Sequence, residues 1–384
     1  MTTSISNSKI RGHGITYDDV LVLPGYSNFS RSDISTEIML SKHISLQIPL
    51  ISSPMDTVTE SNLAIALAQC GGMGIIHRNL TIENQTLEVS KVKNLGLLVG
   101  ASVGISKGYD DRIKGLSTAG VDLVVLDTAH GYTSQTIEAI QFVKKNYPNI
   151  TIMAGNIATA EGAEALIKAG ADCLRIGMGP GAICTTRIIS GMGVPQITAI
   201  LETSKIAQKY NIPTIADGGI KYSGDIVKAL VAGASSVMLG GIFASCEESP
   251  GETKEFIESQ VPHRFKSIIN GSKTYLFKSY RGMGSIGAME KGTQIKSEDE
   301  YHGKNYKDRV LVAEGVEGYV PVKGTVKDLV DQLLGGIKSG MYYVGAKTIQ
   351  ELQSKGTFIQ ITHASLTESH PHDILVTNPG KNYQ

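Results

Sequence analysis

The chain has 384 residues, a length that suits either one large α/β barrel or two ordinary domains. Its 36 basic residues balance its 36 acidic residues, so the charge argues against a nucleic acid partner or an anionic membrane surface. The four cysteines have no paired or metal-type spacing, and neither a signal peptide nor an apolar run near 18 residues is evident. These features predict a cytoplasmic protein with reduced thiols and no membrane contact.

Eight short apolar runs alternate with segments of helical periodicity, which is typical of repeated strand–helix units. The runs are continuous and rich in β-branched residues, as strands buried on both faces should be. They lie at Pro49–Ser53, Gly74–His77, Val99–Val103, Leu123–Asp127, Ile150–Gly155, Cys173–Ile176, Pro213–Asp217 and Ser236–Gly240. Helices are predicted at Ser134–Asn146, Ala160–Ala169, Ala199–Tyr210 and Gly224–Ala232. Eight such units predict a (β/α)₈ TIM barrel, an α/β fold, whereas an open doubly wound sheet would not require eight strands.

Polar or glycine residues cluster at the C-terminal end of most of these runs. They include Ser53, Met55, Arg78, Asn79, Asp127, Asn156, Asp217–Gly219 and Gly240–Gly241. In a TIM barrel these ends converge on one mouth, where active sites are built. The sequence therefore predicts a functional site at that mouth.

The sixth run leads into a glycine-rich loop, Gly177–Arg187, with Cys184 set inside it. Its three glycines and its proline let the backbone approach a ligand closely. Cys184 is followed at once by the hydroxyls of Thr185 and Thr186. A nucleophile beside hydroxyl groups that can transfer protons is typical of covalent catalysis. An incidental buried cysteine in a surface loop is equally compatible with this sequence.

Beyond the eighth run the strand–helix alternation stops. Thr274–Lys278 is a possible hairpin strand, and Tyr280–Ser285 is a second glycine-rich turn. Glu290–Arg309 is long and polar, which predicts either disorder or a functional lid. A last helix is predicted at Val326–Ser339, before a polar tail at Glu368–Gln384.

Five long motifs occur in a fixed order along the chain. They are Ser52–Glu60, Gly177–Gln196, Ile215–Gly219, Tyr280–Ser285 and Ala313–Gly318. In this order they resemble the IMP dehydrogenase/GMP reductase family over nearly the whole chain, which implies one catalytic barrel domain spanning residues 1–384. Family members usually insert a pair of CBS modules after the second barrel strand. Here Lys93–Val99 passes directly into the third strand, so the resemblance implies that this module is absent.

The resemblance implies a chemistry for the glycine-rich loop. Cys184 would attack C2 of a purine nucleotide as a thiolate, and hydride would pass to or from a nicotinamide cofactor. Thr186 and Glu314 would form the proton relay. Tyr301 would belong to a mobile flap, at about residues 286–318, that closes over the site during hydrolysis.

Further motif residues are similar to the ligand-binding positions of the family. The substrate set would be Ser53, Met55, Asp217, Gly218, Gly219, Gly240, Gly241, Tyr280, Gly282, Met283, Gly284 and Glu314. Within it, Asp217 would bind the ribose, and Gly219, Gly240, Gly241 and Tyr280 would form the phosphate cradle. The cofactor set would be Asp127, Thr128, Asn156, Gly177 and Gly179.

The resemblance also implies a potassium site and an assembly. Backbone carbonyls of Gly177, Gly179 and Cys184 would bind the ion together with Glu368, Ser369 and His370 of a neighbouring subunit. The resemblance likewise implies a homotetramer.

Two activities share this scaffold. The dehydrogenase oxidises IMP with NAD and hydrolyses the intermediate to XMP, in guanine nucleotide biosynthesis, whereas the reductase uses NADPH and releases ammonia from GMP. The motif Asp127–Gly131, the intact Tyr280–Ser285 turn, the Glu-Ser-His tail and the long polar stretch favour the dehydrogenase, which is the first interpretation.

Three departures from the dehydrogenase pattern keep the alternatives open. Glu300 precedes Tyr301, where dehydrogenases carry an arginine that acts as a general base, and an anion cannot replace a guanidinium unchanged. Ala182 and Gly241 stand where dehydrogenases often place serine. GMP reductase is therefore the second interpretation. A non-catalytic purine-nucleotide-binding paralogue is the third, although Cys184 and Thr186 argue against it.

Overall fold

The computed structural model describes residues 9–269, 271–295, 312–374, 376–377 and 380. Its strands are β1 (Val20–Val22), β2 (Ile38–Met39), β3 (Ser45–Leu46), β4 (Leu50–Ser52), β5 (Met73–Ile76), β6 (Val99–Val103), β7 (Leu123–Asp127), β8 (Thr151–Ile157), β9 (Cys173–Ile176), β10 (Thr214–Asp217), β11 (Ser236–Leu239), β12 (Thr253–Phe256), β13 (Tyr275–Arg281), β14 (Glu317–Pro321) and β15 (Phe358–Gln360). Its helices are α1 (Ser61–Gln69), α2 (Ile82–Lys93), α3 (Tyr109–Thr118), α4 (Ser134–Asn146), α5 (Ala160–Ala169), α6 (Thr186–Ile189), α7 (Gln196–Lys209), α8 (Ser223–Val231), α9 (Gly241–Ala244), α10 (Ile286–Gln294), α11 (Val326–Val344), α12 (Ile349–Lys355) and α13 (His363–Glu368).

Strands β4 to β11 form a closed, parallel, eight-stranded barrel surrounded by helices. Each strand pairs with its neighbours in the chain, and β11 returns to β4 to close the ring, with Val237 opposite Leu50. The predicted TIM barrel is therefore confirmed, and every predicted barrel strand overlaps an observed one. Nearly all barrel-strand residues are buried, because helices cover the outside and side chains fill the inside.

The helix boundaries follow local capping chemistry. The hydroxyl of Thr159 caps α5 by accepting from the Gly162 amide, and Gly170 ends that helix in the left-handed conformation. Helix α7 begins three residues before the predicted Ala199, directly after Pro195, a residue that suits helix starts.

The predicted end of α11 at Ser339 is wrong. The helix continues through Gly340 to Val344, since its apolar period extends through Met341 and Val344 into the core. Gly340 does not end the helix because it packs against α8, where an added Cβ would lie 2.7 Å from a Val227 methyl group.

A three-stranded antiparallel sheet of β12, β13 and β14 stands outside the barrel. The predicted hairpin strand Thr274–Lys278 corresponds to the first part of β13. The predicted flap, residues 286–318, begins as α10 and ends in β14, and its centre lies outside the described residues. Helix α2 connects to β6 through five residues, from Asn94 to Leu98.

An ion pair joins this sheet to the barrel mouth. Arg281, the last residue of β13, donates from Nε to Oδ1 of Asp56 at 3.0 Å, and its Nη2 contacts Oδ2. The Asp56 side chain is fully buried and also accepts from Nδ2 of Asn79 at 2.9 Å. The same Asn79 nitrogen donates to the Ala288 carbonyl of α10 at 3.1 Å. Burial alone would raise the pKa of Asp56, but Arg281 and Asn79 outweigh it and hold that pKa below its ordinary value.

Among the helices within the described ranges, none combines the length and the hydropathy required to cross a bilayer.

We predict that Arg281→Ala lowers the free energy of unfolding at pH 7 by about 3 kcal/mol, because it leaves the Asp56 carboxylate buried without a cation. In the wild type, the ionised Asp56 stabilises the folded state above pH 3.8, the ordinary pKa of the group. This stabilisation is lost as pH falls below that value. In the variant, burial raises the pKa of Asp56 instead, so protonation restores stability as pH falls. Urea denaturation should therefore show that the difference in free energy of unfolding between wild type and Arg281→Ala becomes smaller as pH falls towards about 4.

Lys254→Ala is the matched control, since this exposed lysine lies on β12 of the same sheet and stacks on Tyr319. It should leave the free energy of unfolding almost unchanged, because an exposed side chain contributes little to stability. A similar loss in both variants would contradict a specific role for the Asp56–Arg281 pair.

Candidate active site

The C-terminal ends of the barrel strands surround a cavity of about 440 Å³, here called the first cavity. Its wall brings together most residues of the sequence-predicted site. They are Ser53, Met55, Asp127, Thr128, Asn156, Gly177, Gly179, Cys184, Thr186, Asp217, Gly218, Gly240, Tyr280, Gly282, Met283, Gly284 and Glu314. These residues come from distant parts of the chain, and closure of the barrel brings them together in one site.

Three side chains in this wall form a hydrogen-bonded chain. The thiol of Cys184 donates to Oγ1 of Thr186 at 3.2 Å, and that hydroxyl donates to Oε2 of Glu314 at 2.8 Å. The order thiol, hydroxyl, carboxylate allows a proton to leave the sulfur as the threonine proton moves to the carboxylate. Such an arrangement can activate a nucleophile or hand on a proton from a bound group.

Backbone contacts hold the cysteine loop against the segment that carries Glu314. The Thr185 amide donates to the Glu314 carbonyl at 2.9 Å, and the Val316 amide donates to the Ile183 carbonyl at 2.9 Å. Cys184 and Gly315 form an antiparallel bridge between these two bonds. The relay geometry therefore depends on two backbone segments that lie about 130 residues apart in the sequence.

A buried arginine connects the carboxylates of two strands. Arg175 in β9 donates from Nε to Oδ2 of Asp217 at 2.9 Å and from Nη1 to Oδ1 of Asp127 at 2.5 Å. Asn156 donates to the same Asp217 oxygen and to the Gly177 carbonyl, both at 2.9 Å. Burial disfavours the charge of Arg175, but the two carboxylates outweigh it and raise its pKa.

Sequence reasoning missed Arg175. The sequence feature that could have revealed it is an arginine inside the apolar run Cys173–Ile176. A charged residue in a buried strand usually has a partner of opposite charge. Arg78 also lies in this network, with Nε 3.5 Å from Oδ2 of Asp127. The predicted substrate residue Asp217 and the predicted cofactor residue Asp127 are thus parts of one ionic network.

A second cavity, of about 240 Å³, adjoins the first. The two cavities share Pro180, Gly181, Gly218, Gly240 and Tyr280, and the second is also lined by Gly219 and Gly241. Gly218 and Gly219 have φ angles of +93° and +80°, a conformation that favours glycine. Burial, with a smaller contribution from the nearby Asp217, raises the pKa of Tyr280 well above its usual value, so its hydroxyl stays protonated.

Three predicted site residues lie elsewhere. Glu368 ends α13, Ser369 follows it, and the ring of His370 packs on Tyr222 of the same chain at 6.2 Å between centroids. None of them lines either cavity. Tyr301, with Glu300, lies outside the described residues.

We predict that one equivalent of iodoacetamide labels Cys184 first. Burial raises the pKa of the Cys70, Cys173 and Cys246 thiols, which lowers their thiolate fractions. The Cys184 thiol instead lines the open cavity and donates into the relay. Peptide mass spectrometry should find the label on Cys184, and Cys184→Ser should leave the folded protein almost unlabelled. Faster labelling of Cys70 would contradict this.

Comparison with known proteins agrees with this geometry. Residues 14–372 match the IMP dehydrogenase/GMP reductase domain. The chain is 43% identical over 418 residues to the inosine-5'-monophosphate dehydrogenase of Borreliella burgdorferi, which covers 96% of this chain and 99% of that protein. It is 42% identical over 415 residues to the enzyme of the same name from Cryptosporidium parvum, covering 97% and 98%. The enzyme of that name from Aquifex aeolicus is 38% identical over 498 residues, covering 96% and 97%. The chain therefore belongs to the IMP dehydrogenase/GMP reductase family of enzymes.

Proposed function

We propose that this protein oxidises IMP to XMP with NAD, through a covalent bond between Cys184 and C2 of the purine, in guanine nucleotide synthesis. The observation that carries the proposal is the Cys184–Thr186–Glu314 relay at the wall of the first cavity. The names of the three relatives support the choice of IMP as substrate. A protein that merely binds nucleotide would need neither a thiol nor a relay at this position.

The proposed substrate pose begins at Asp217. Arg175 and Asn156 both donate to its Oδ2, which leaves Oδ1 to accept from the ribose hydroxyls. The phosphate would then lie towards the second cavity, which is lined by Gly218, Gly219, Gly240 and Gly241. The base would lie between Cys184 and the Met283–Gly284 turn, beside Ser53 and Met55.

In the proposed reaction the Cys184 sulfur adds to C2 as its proton passes to Thr186 and the Thr186 proton to Glu314. NAD, when bound, supplies the hydride acceptor for the hydrogen that leaves C2. Before hydrolysis, Glu314 releases to solvent the proton that it took from Thr186. The relay then takes a proton from the water that attacks C2 and returns it to the sulfur, so the C2–S bond breaks, XMP leaves and Cys184 is restored as a thiol. General acid–base help of this kind contributes about 10²–10⁴-fold to a rate.

The proposed cofactor residues fit a dinucleotide at the other end of the first cavity. Asp127, Thr128 and Asn156 line the wall there, and Asp127 offers a carboxylate to ribose hydroxyls. Arg175 and Arg78 hold that carboxylate in place. Gly177 and Gly179 leave the loop bare of side chains beside the cavity, and an added Cβ at Gly177 would lie 2.2 Å from the Asp217 carbonyl oxygen.

Potassium and a homotetramer remain part of the proposal. No cluster of acidic, histidine or cysteine side chains within the described ranges could hold a metal ion, so an ion at the loop would depend on backbone carbonyls. The Gly177 carbonyl accepts from Asn156 and keeps a second lone pair for a cation. The Arg187 guanidinium, which donates to the Met178 carbonyl at 3.3 Å, opposes a cation there. Oxygens of Glu368, Ser369 and His370 from a neighbouring subunit would offset that repulsion.

A single catalytic domain without a CBS module is also proposed. The five-residue connection between α2 and β6 supports it. The alignment with the Aquifex aeolicus relative supports it too, because it spans 498 positions against 384 residues in this chain.

GMP reduction with NADPH is the second candidate function. Glu300 in front of Tyr301, and Gly241 in the second cavity, favour it. The relay itself suits both activities. Purified protein should be assayed with IMP plus NAD and with GMP plus NADPH, following nicotinamide absorbance and product identity. XMP formation supports the first function, ammonia release from GMP would establish the second, and the absence of both would leave a nucleotide-binding paralogue.

We predict that Cys184→Ala abolishes product formation while IMP still binds, because the ribose and phosphate contacts do not involve the sulfur. Steady-state assays and calorimetry with IMP would measure the two effects separately. Turnover retained in this variant would refute the covalent mechanism.

We predict that Glu314→Gln lowers kcat by about 10²–10⁴-fold, since the amide cannot take the Thr186 proton. Stopped-flow absorbance would separate the first hydride transfer from the steady-state rate. Glu255→Gln, an exposed change on β12, is the matched control and should leave kcat unaltered. Equal rates for Glu314→Gln and wild type would exclude the relay.

A further inference from the structure

Tyr17 has a buried hydroxyl without a partner. The residue is 4% exposed, and its hydroxyl makes no hydrogen bond with any part of the chain that the structure describes. A buried donor that is left unpaired costs free energy, so native proteins usually pair it with a protein group, a water or a ligand. The position of Tyr17 indicates that the partner of its hydroxyl is a ligand, because the residue lines the second cavity.

The backbone around Tyr17 is fixed, so the hydroxyl cannot easily move to another partner. Tyr17 begins a 3₁₀ turn whose cap is complete: Thr16 donates from its amide and its hydroxyl to Oδ2 of Asp19, at 2.7 and 2.8 Å. Nζ of Lys228 donates to the Tyr17 carbonyl at 2.8 Å. The Ile361 amide donates to the Asp19 carbonyl at 2.8 Å, where β1 pairs with β15.

The surface that faces Tyr17 consists largely of backbone. Its ring packs on Gly219, where an added Cβ would lie 3.4 Å from Cε2. Gly218 and Gly219 are consecutive residues in the left-handed conformation, and Gly240 and Gly241 line the same cavity. Exposed backbone amides in such a concavity bind anions. The Tyr280 hydroxyl lies next to Gly240, where it would contact an added Cβ at 2.8 Å, and Tyr280 lines the same cavity.

The charges around Tyr17 define the kind of ligand. Burial raises the pKa of Tyr17 well above its usual value, and the carboxylates of Asp225 and Asp217 raise it further. The hydroxyl therefore stays protonated at neutral pH and is available as a donor to an oxygen acceptor. At the rim of the cavity the Lys221 ammonium lies 2.9 Å from Asp18, and the Arg187 side chain is in the wall. Because Asp18 balances Lys221, and Asp217 and Asp225 lie near the hydroxyl, the unpaired donor rather than a net positive charge favours an oxygen ligand at this position.

We propose that the Tyr17 hydroxyl donates a hydrogen bond to the phosphate group of the bound nucleotide and is a substrate-binding residue. The proposal rests on the proposed function for the identity of that nucleotide. It adds to the cradle a side chain from before the first barrel strand, which the family motifs do not include. The proposal also assigns a role to the N-terminal segment, which would close the site at the end where the phosphate binds.

The test is Tyr17→Phe, which removes the hydroxyl and keeps the ring. Loss of one hydrogen bond to a charged group should weaken IMP binding by about 10- to 100-fold. Inosine, which lacks the phosphate, should bind wild type and variant alike. The melting temperature of the free variant should be unchanged or higher, because an unpaired buried hydroxyl has been removed. Calorimetry with IMP, inosine and inorganic phosphate, together with thermal denaturation, measures these effects.

Tyr109→Phe is the matched control, since this half-buried tyrosine of α3 lines neither cavity. It should change none of the three affinities. Equal IMP affinity in wild type and Tyr17→Phe would overturn the proposal. An equal loss of inosine affinity would overturn it as well, because the effect would then not depend on the phosphate. A lower melting temperature would show that the hydroxyl is already paired in the free protein.

The inorganic phosphate measurement separates this proposal from the proposed function. If wild type binds inorganic phosphate and Tyr17→Phe binds it more weakly, the phosphate contact stands even if IMP is not the substrate. If wild type binds neither IMP nor inorganic phosphate, both proposals fail. Turnover of IMP with unchanged phosphate affinity in Tyr17→Phe would leave the proposed function intact and refute the role of Tyr17.

Discussion

Two carboxylates can face one cavity in this barrel because Arg175 lies between them. Asp127 and Asp217 end strands that are not adjacent, and each contacts a different nitrogen of the same guanidinium. Without that cation, two negative charges in one cavity wall would repel each other. Arg175 is a positioning residue in this sense: its guanidinium holds Oδ2 of Asp217 and Oδ1 of Asp127 in place. A lysine could not make both contacts, since its charge is concentrated at one point.

The hydrogen-bonded chain Cys184–Thr186–Glu314 depends on a second constraint, the contact between the Cys184 loop and Glu314–Val316. This segment lies directly before β14. The loop and the Glu314 segment pair through backbone amides, so the relay is held by groups that do not take part in it. Side chains that must lie within hydrogen-bond distance of one another are best supported in this way, because small shifts in position lower rates strongly. The buried Asp56–Arg281 pair has the same role at the base of the sheet.

The N-terminal segment pairs with the tail and also contributes to the second cavity. Strands β1 and β15 pair with each other, and His370 packs on Tyr222 in the loop after β10. The second cavity is lined by barrel loops, by Tyr280 of β13 and by Thr16, Tyr17 and Asp18 from the segment before the barrel. The proposed potassium site would connect the tail to a neighbouring subunit, and thus to the same loop that carries Cys184.

The sequence by itself determined the barrel and most of the site. Eight buried parallel strands appear as eight continuous apolar runs, and the rule that their C-terminal ends converge places Asp127, Asn156, Cys184 and Asp217 at one mouth. These inferences succeed because strand burial and strand direction are local properties that the residue pattern records. Thr186 and Glu314 were predicted as partners of Cys184 from the family resemblance of their motifs, and the structure places the three side chains in one hydrogen-bonded chain.

Only the tertiary structure decided which charges pair and which polar groups stay unpaired. Arg175 looked like one residue in an apolar run, and its link to Asp127 and Asp217 depends on the register of three strands. Gly340 lies inside α11 rather than at its end because it packs closely against α8, a contact that the local sequence does not contain. The unpaired hydroxyl of Tyr17 is visible only once all of its neighbours are placed, because an unsatisfied donor is defined by what surrounds it.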